Sequence, residues 1–194
     1  MQDVETRRNF LKRAVQIASA IAVYPALNVW TDSCPTPAST AGPFYKPGAP
    51  FKNFLREQSS KGIPLNVFGK VIDTSGKPLE NAIIEIWHTN PDGNYDLDGY
   101  KYRASIRVNT KGEYNFDTFL PGAYGGRAQH IHYQITAAHN RKLITQLYFS
   151  SDPMFEGNPE KNYHKDRIIS DPDLIRPVIQ TNQTGYKVDF PICL

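Results

Sequence analysis

The sequence predicts an all-β protein, a two-sheet β-sandwich with few helices. Three observations support this. Short runs of β-branched and aromatic residues recur along the chain, several alternating apolar and polar at period two. Clusters of Gly, Pro, Asn and Asp separate them. Fifteen Pro, thirteen Gly and 12% aromatic residues suit a loop-rich β composition. With 194 residues, 40% of them hydrophobic, the chain can bury one core.

In chain order, residues 35–63 form an extended, Pro-rich entry segment, and the sandwich occupies residues 64–194. The first strand is expected over Leu65 to Ile72, closed by Asp73-Thr-Ser-Gly76. Ala82 to Trp87 is apolar enough for a central strand, and Asn90-Pro-Asp-Gly93 is the next turn. Tyr102 to Val108 and Glu113 to Phe119 are expected to make a hairpin across Asn109-Thr-Lys-Gly112. Gln129 to Ala137 pairs with Ile144 to Phe149, and Val178 to Ile179 and Tyr186 to Phe190 end the sheet. One helical turn is expected between Pro159 and Arg167. Short strands at this spacing argue for a sandwich.

Residues 1–34 read as an export signal and leader. Thr6-Arg7-Arg8-Asn9-Phe10-Leu11-Lys12 matches the twin-arginine pattern, and a moderately apolar stretch from Ala14 to Leu27 follows. Gln16 and Pro25 interrupt that stretch, which is too short and polar for a stable membrane span. The expected location is the periplasm. Thr31-Asp32-Ser33-Cys34 is a poor lipoprotein box, so a lipid anchor on Cys34 is a minor alternative. An oxidising compartment would permit a disulfide between the two cysteines, Cys34 and Cys193. A net charge of +3 is too small and dispersed to argue for nucleic acid or an anionic membrane surface.

The most informative motif is His130-Ile-His132. On a strand, His130, His132, Gln134 and Thr136 share one face, and Ile131, Tyr133 and Ile135 the other. The apolar set can pack in a core while two imidazoles stand side by side. Such a pair is either a metal grip or a polar surface face. Two tyrosines in tight turns favour the grip: Tyr95 in Asp-Gly-Asn-Tyr and Tyr124 in Pro-Gly-Ala-Tyr-Gly. A phenol ionises near pH 10 in water, and a trivalent cation lowers that pKa enough for tyrosinate to bind. Two imidazoles and two phenolates suit ferric iron, Fe(3+), better than zinc, copper or calcium.

At these residues the sequence resembles the intradiol ring-cleavage dioxygenases, the superfamily of catechol 1,2-dioxygenase and protocatechuate 3,4-dioxygenase. The likeness is carried, in the family's order, by Ala41-Gly-Pro-Phe-Tyr45, Gly69-Lys-Val-Ile-Asp73, Ala82-Ile-Ile-Glu-Ile-Trp-His88, Gly93-Asn-Tyr95, Pro121-Gly-Ala-Tyr124, Arg127-Ala-Gln-His-Ile-His132 and Thr145-Gln-Leu-Tyr-Phe149. It runs from about Thr40 to Phe149; the tail from Ser150 matches only loosely. The resemblance implies a prealbumin-like two-sheet core and a non-haem ferric ion held by Tyr95, Tyr124, His130 and His132. It implies Arg127 and Gln146 as active-site residues, with Tyr124 as the tyrosinate that leaves the metal. The implied reaction joins a small aromatic diol and O2 to give a cis,cis-muconate-type diacid. Gly125-Gly126 is shorter than the loop that many relatives carry there, and no counterpart of the long N-terminal helical domain of the catechol 1,2-dioxygenase branch is expected. A homo-oligomer is left open.

His88 is expected to be structural, His139 and His164 solvated, and Tyr100, Tyr102, Tyr114, Tyr133 and Tyr148 strand and core residues. Tyr45 either approaches substrate or packs under the entry segment. Two other functions compete. A non-catalytic prealbumin-like binding module would explain the strand-turn-strand run from Gly69 to Ala82, but has no use for two tyrosines, two histidines and Arg127. A zinc hydrolase on His130 and His132 lacks an obvious third ligand and explains neither tyrosine.

Overall fold

The computed structural model describes residues 34–56, 61–181 and 185–194. All belong to one contact unit, Asp32–Leu194. The twin-arginine motif and the apolar stretch after it lie outside the described residues.

Among the described residues ten strands form two sheets. In order they are β1 (Pro64–Ile72), β2 (Ile83–Trp87), β3 (Arg103–Arg107), β4 (Glu113–Phe119), β5 (His130–Thr136), β6 (Lys142–Phe149), β7 (Ile175–Arg176), β8 (Ile179–Gln180), β9 (Tyr186–Asp189) and β10 (Ile192–Cys193). The first sheet centres on β1. Antiparallel β4 lies on one side, and parallel β9 and β10 share the other, with β8 beyond β9. The second sheet runs β3-β2-β5-β6-β7, antiparallel except for its last pair.

Period-two alternation builds the core between them. Leu65, Val67, Val71 and Phe116 point inward from the first sheet, and Ile84, Ile86, Ile131, Tyr133, Ile135 and Leu147 from the second. Fully burying one such side chain contributes roughly 1.5–3 kcal/mol relative to leaving it in water. One helical turn, α1 (Pro159–Asn162), falls where it is expected. Asn158 caps it by accepting from the Lys161 N–H, and Pro159 occupies the position where a missing N–H costs nothing. Among the described residues no helix is long and apolar enough to cross a membrane.

The expected hairpin of β3 and β4 is instead an arch. The turn itself is present: Gly112 sits at φ +77°, and Asn109 Oδ1 accepts from the Lys111 and Glu113 N–H groups. Yet β3 pairs with β2 and β4 with β1, so the chain crosses from one sheet to the other there. Both strands carry an apolar face, and an arch sets those faces opposite each other across the core rather than side by side. Turn chemistry alone does not distinguish the two outcomes. The C-terminal part makes a second crossing, with β7 on β6 and β8 on β9.

The described part of the entry segment is bonded onto the sandwich at several points. The Ser39 N–H donates to the Ile144 carbonyl, and the Pro37 carbonyl accepts from Thr145 Oγ1. Phe51 bridges to Ser105 and Phe54 to Asp117. A Cys34–Cys193 disulfide fixes its start, with the two Cα atoms 5.3 Å apart. Thr36 reinforces it, its N–H donating to the Cys193 carbonyl and its Oγ1 accepting from the Cys193 N–H.

Candidate metal centre

The register of the second sheet lines up one row of side chains. Arg103 on β3 lies opposite Trp87 on β2, Trp87 opposite His132 on β5, and His132 opposite Gln146 on β6. His130 lies opposite Tyr148 on the same outer face. This face is polar but not open, because the entry segment covers it. His130 and His132 are 4% and 3% exposed, so their strand face is a roofed site rather than a wet surface. Trp87 stacks flat on the His132 ring, 4.9 Å between centroids and 3° between planes.

Both imidazoles are oriented through Nδ1. That atom approaches the Ala128 carbonyl at 2.6 Å in His130 and the Thr40 carbonyl at 3.3 Å in His132. A carbonyl only accepts, so each Nδ1 carries the proton and each Nε2 presents a lone pair. The two Nε2 atoms then face each other at 3.1 Å, and the Tyr95 hydroxyl lies 3.1 Å from Nε2 of His132. Burial lowers the His130 pKa to about 4; burial, with the neighbouring His130, lowers that of His132 to about 2. Neither ring supplies a second proton at neutral pH. Two lone pairs and a phenol therefore converge with too few protons among them, which is the arrangement of a cation receptor.

The two tyrosine turns are built for close approach. Asn90 Oδ1 accepts from the Asp92 and Asn94 N–H groups, which shapes the turn before Tyr95. A Cβ on Gly93 would strike the Ala123 carbonyl, and one on Gly122 would strike the Gly93 backbone, so only glycines let the turns meet. After Tyr95, Asp96 accepts from the Gly99 and Lys101 N–H groups. Buried Arg103 donates to the Asp96 and Phe44 carbonyls and lies 5.9 Å from the Tyr95 ring centre. Phe44 stacks on Tyr95 at 4.3 Å, and Tyr124 meets Tyr95 edge-on at 5.5 Å. Burial, with Tyr124 nearby, pushes the Tyr95 phenol above its ordinary pKa, so its ionisation requires an added positive charge.

The two phenols are held differently. Tyr95 is stacked, faces His132 and follows a bonded turn. Tyr124 opens a tight turn whose central residues, Gly125 and Gly126, are at φ +56° and +75°. Its hydroxyl has no hydrogen-bond partner among the described residues.

Arg127 points inward. Its Nε donates to Asp166, and Nη2 donates to Gln146 Oε1 at 2.9 Å and to the Tyr148 hydroxyl at 2.6 Å. Gln146 Nε2 donates to the Thr40 carbonyl, the same oxygen that faces His132 Nδ1. Gln146 thus touches both Arg127 and the support of a histidine.

The structure brings Tyr95, Tyr124, His130, His132, Arg127 and Gln146 together. The sequence reading missed Asp166, Arg103 and the Thr40 carbonyl, and it left Tyr148 among the core tyrosines. Tyr148, two residues from Gln146 on one strand, carried a usable signal; the others did not. His88 is structural, its ring nitrogens meeting the Thr89 carbonyl and Thr118 Oγ1. His139 and His164 are exposed. Tyr45 packs edge-on against Trp87, with its hydroxyl at Glu85 and Gln134. Among the described residues no three His, Cys, Asp or Glu side chains gather. A separate cleft of about 1020 Å³, lined by Phe51, Phe68, Lys70, Arg107, Tyr114 and Asp189 among others, contains none of the site residues.

The sequence profile of the family described as Dioxygenase (Dioxygenase_C) matches residues 40–194. Catechol 1,2-dioxygenase 2 of Acinetobacter lwoffii is 33% identical over 144 residues, covering 61% of this chain and 52% of the relative. Chlorocatechol 1,2-dioxygenase of Rhodococcus opacus is 31% identical over 195 residues, covering 85% and 72%. The solved dioxygenase domain of a dioxygenase carbohydrate-binding protein fusion from Streptomyces sp. SirexAA-E is 31% identical. It superposes with a TM-score of 0.72 over 82% of this chain and 97% of that one. The chain spans about half the length of the catechol 1,2-dioxygenases it matches. Since the match runs through both tyrosine turns and the His-x-His strand to the last residue, the chain belongs to the intradiol ring-cleavage dioxygenase family.

Proposed function

We propose that this chain cleaves a catechol-type diol with O2 between its two hydroxyl-bearing carbons, giving a cis,cis-muconate-type diacid. Tyr95, Tyr124, His130 and His132 would hold one ferric ion. The observation that carries the reading is the pair of imidazole Nε2 lone pairs facing each other at 3.1 Å, with the Tyr95 oxygen alongside. Two neutral nitrogens and two phenol oxygens suit a hard trivalent cation. A ferric ion held by these residues would supply Lewis acidity toward a bound diol.

The protein's own groups divide the remaining work. Tyr95 is fixed by Phe44, Arg103 and His132 and stays in place. Tyr124, on a two-glycine turn with no hydrogen-bond partner for its oxygen among the described residues, would as tyrosinate be the group that accepts a catechol proton at that oxygen. Trp87 and the entry segment exclude water from the histidine side. Arg127 supplies a fixed positive charge where negative charge develops on the substrate.

The test is purification followed by metal analysis and a catechol assay. One iron per chain, a broad visible band giving a wine-red colour, and muconate formation matched by oxygen uptake are expected. Colourless protein with stoichiometric zinc refutes the reading.

Export to the periplasm by the twin-arginine route is part of the proposal. It is supported by Arg7-Arg8 and by a disulfide, which persists in oxidising compartments. A Cys34 sulfur bonded to Cys193 is not available to a lipid. Replacing Arg7 and Arg8 by Lys should retain active protein in the cytoplasm, and unimpaired export of that variant refutes the route.

A further inference from the structure

Asp166 is a buried charge in the part of the chain where the resemblance is loosest. Its side chain is 0% exposed. Both carboxylate oxygens lie 2.8 Å from Arg127 Nε. Oδ1 also accepts from the Ile168 N–H, and Oδ2 from the Ala128 N–H. The Ala128 carbonyl in turn holds Nδ1 of His130. One carboxylate therefore fixes both the guanidinium and the peptide unit that orients a histidine.

The pattern on Arg127 has a directional consequence. A guanidinium carries five N–H donors in a rigid plane. Nε is committed to Asp166, and the two N–H groups of Nη2 go to Gln146 and Tyr148. The two on Nη1 meet nothing among the described residues. Little else sets this direction. Gly125 and Gly126 immediately precede Arg127, both are exposed, and a Cβ on either would meet nothing within 4 Å.

We propose that Asp166 is a positioning residue that turns Arg127 so that Nη1, and only Nη1, is offered to the bound diol. The proposal rests on the dioxygenase reading above. Asp166 works by charge and by geometry. The carboxylate holds Nε from one side while Gln146 and Tyr148 hold Nη2 from the other, so the plane has one orientation. An amide at position 166 would have a single acceptor oxygen for three N–H donors and would turn its own N–H₂ toward a donor.

The test is a double-mutant cycle of the parent, Asp166→Asn, Arg127→Ala and the double variant. The readouts are iron per chain, thermal midpoint, kcat and KM for catechol, and equilibrium affinity for 4-nitrocatechol. Arg127→Ala should lose about 10²–10³-fold in kcat, as removal of one charge partner of the transition state does. Asp166→Asn should keep its iron and visible band and lose roughly 10–100-fold in kcat, with 4-nitrocatechol affinity within about threefold of the parent. In the Arg127→Ala background the same change should cost less than about twofold, because no guanidinium remains to be aimed. Equal losses in both backgrounds mean a purely structural role and overturn the proposal. If Asp166→Asn fails to fold, Asp166→Ser replaces it, keeping one oxygen for the Ala128 N–H and leaving room for water. Failure of both to hold iron also overturns the proposal. A parent that does not cleave catechol refutes the proposed function instead, and this is known before any variant is compared.

Discussion

Tyr95 and Tyr124 carry the same functional group in different settings, and the proposed division of their tasks rests on that difference. Phe44 covers the Tyr95 ring, and His132 Nε2 lies 3.1 Å from its oxygen. Tyr124 touches neighbouring rings only edge-on. Tyr124→Phe should therefore keep substantial iron, shift the visible band and lose most catechol cleavage. Tyr95→Phe should lose most of its iron. Iron content and muconate formation, measured together, check this; equal iron loss in both variants would count against the division. His88 makes a prediction about acid. Burial lowers its pKa to about 4, whereas a histidine in an unfolded chain titrates near 6.5. Between those values the unfolded chain binds a proton that the folded one refuses. The stability associated with neutral His88 is complete above about pH 6.5 and is lost as pH falls toward 4, at up to about 1.4 kcal/mol per pH unit. Denaturant unfolding at pH 7 and pH 5 should show a shallower pH dependence in His88→Asn than in the parent. Identical slopes would mean that His88 protonates without leaving its Thr89 and Thr118 partners.

At the scale of elements, the site depends on two turns in backbone contact and a strand that faces both. Gly122 is where those turns touch. A Cβ there would meet the Gly93 nitrogen and the Pro91 carbonyl, neither of which is the movable end of a side chain. Gly122→Ala should push Tyr95 and Tyr124 apart and remove iron before it unfolds the sandwich. Metal analysis beside a thermal melt decides this, and a variant with full iron would show that the turns can separate without cost. These elements also mark how far sequence reasoning reaches. The His-x-His strand, the two turns and most strand positions were legible because period two and turn chemistry act over a few residues. The arch between β3 and β4 was not, because an Asn109-to-Gly112 turn serves a hairpin or a sheet crossing equally. Arg103 was missed for a related reason. It reaches the row of Trp87, His132 and Gln146 only through pairing across four strands, and register is not written in any one of them. Asp166 stands in a loop with no periodicity, and only its neighbours in space reveal it.

Across the whole molecule, the entry segment links the ends of the domain to its site. It starts at the disulfide, bonds to β6, supplies the Thr40 carbonyl to His132 and Gln146, and ends as the bridges of Phe51 and Phe54. Cross-links that close long loops typically contribute about 2–4 kcal/mol. Cys34→Ser should lower unfolding stability by about that amount and speed amide exchange at Thr36 and Ser39, with Thr36 affected first because its partner is Cys193 itself. Unchanged exchange at both positions would mean that hydrogen bonds alone secure the segment. The same disulfide makes the folded domain a closed covalent circle, since residues 34 and 193 meet after the chain has traversed both sheets. For such a circle the position of the gap is a matter of genetics rather than of architecture. A reordered gene could join residue 194 to residue 34 and open the chain at the exposed tip around Gly76, where a Cβ would meet nothing. The domain could likewise be spliced into a loop of a host protein without stretching either partner.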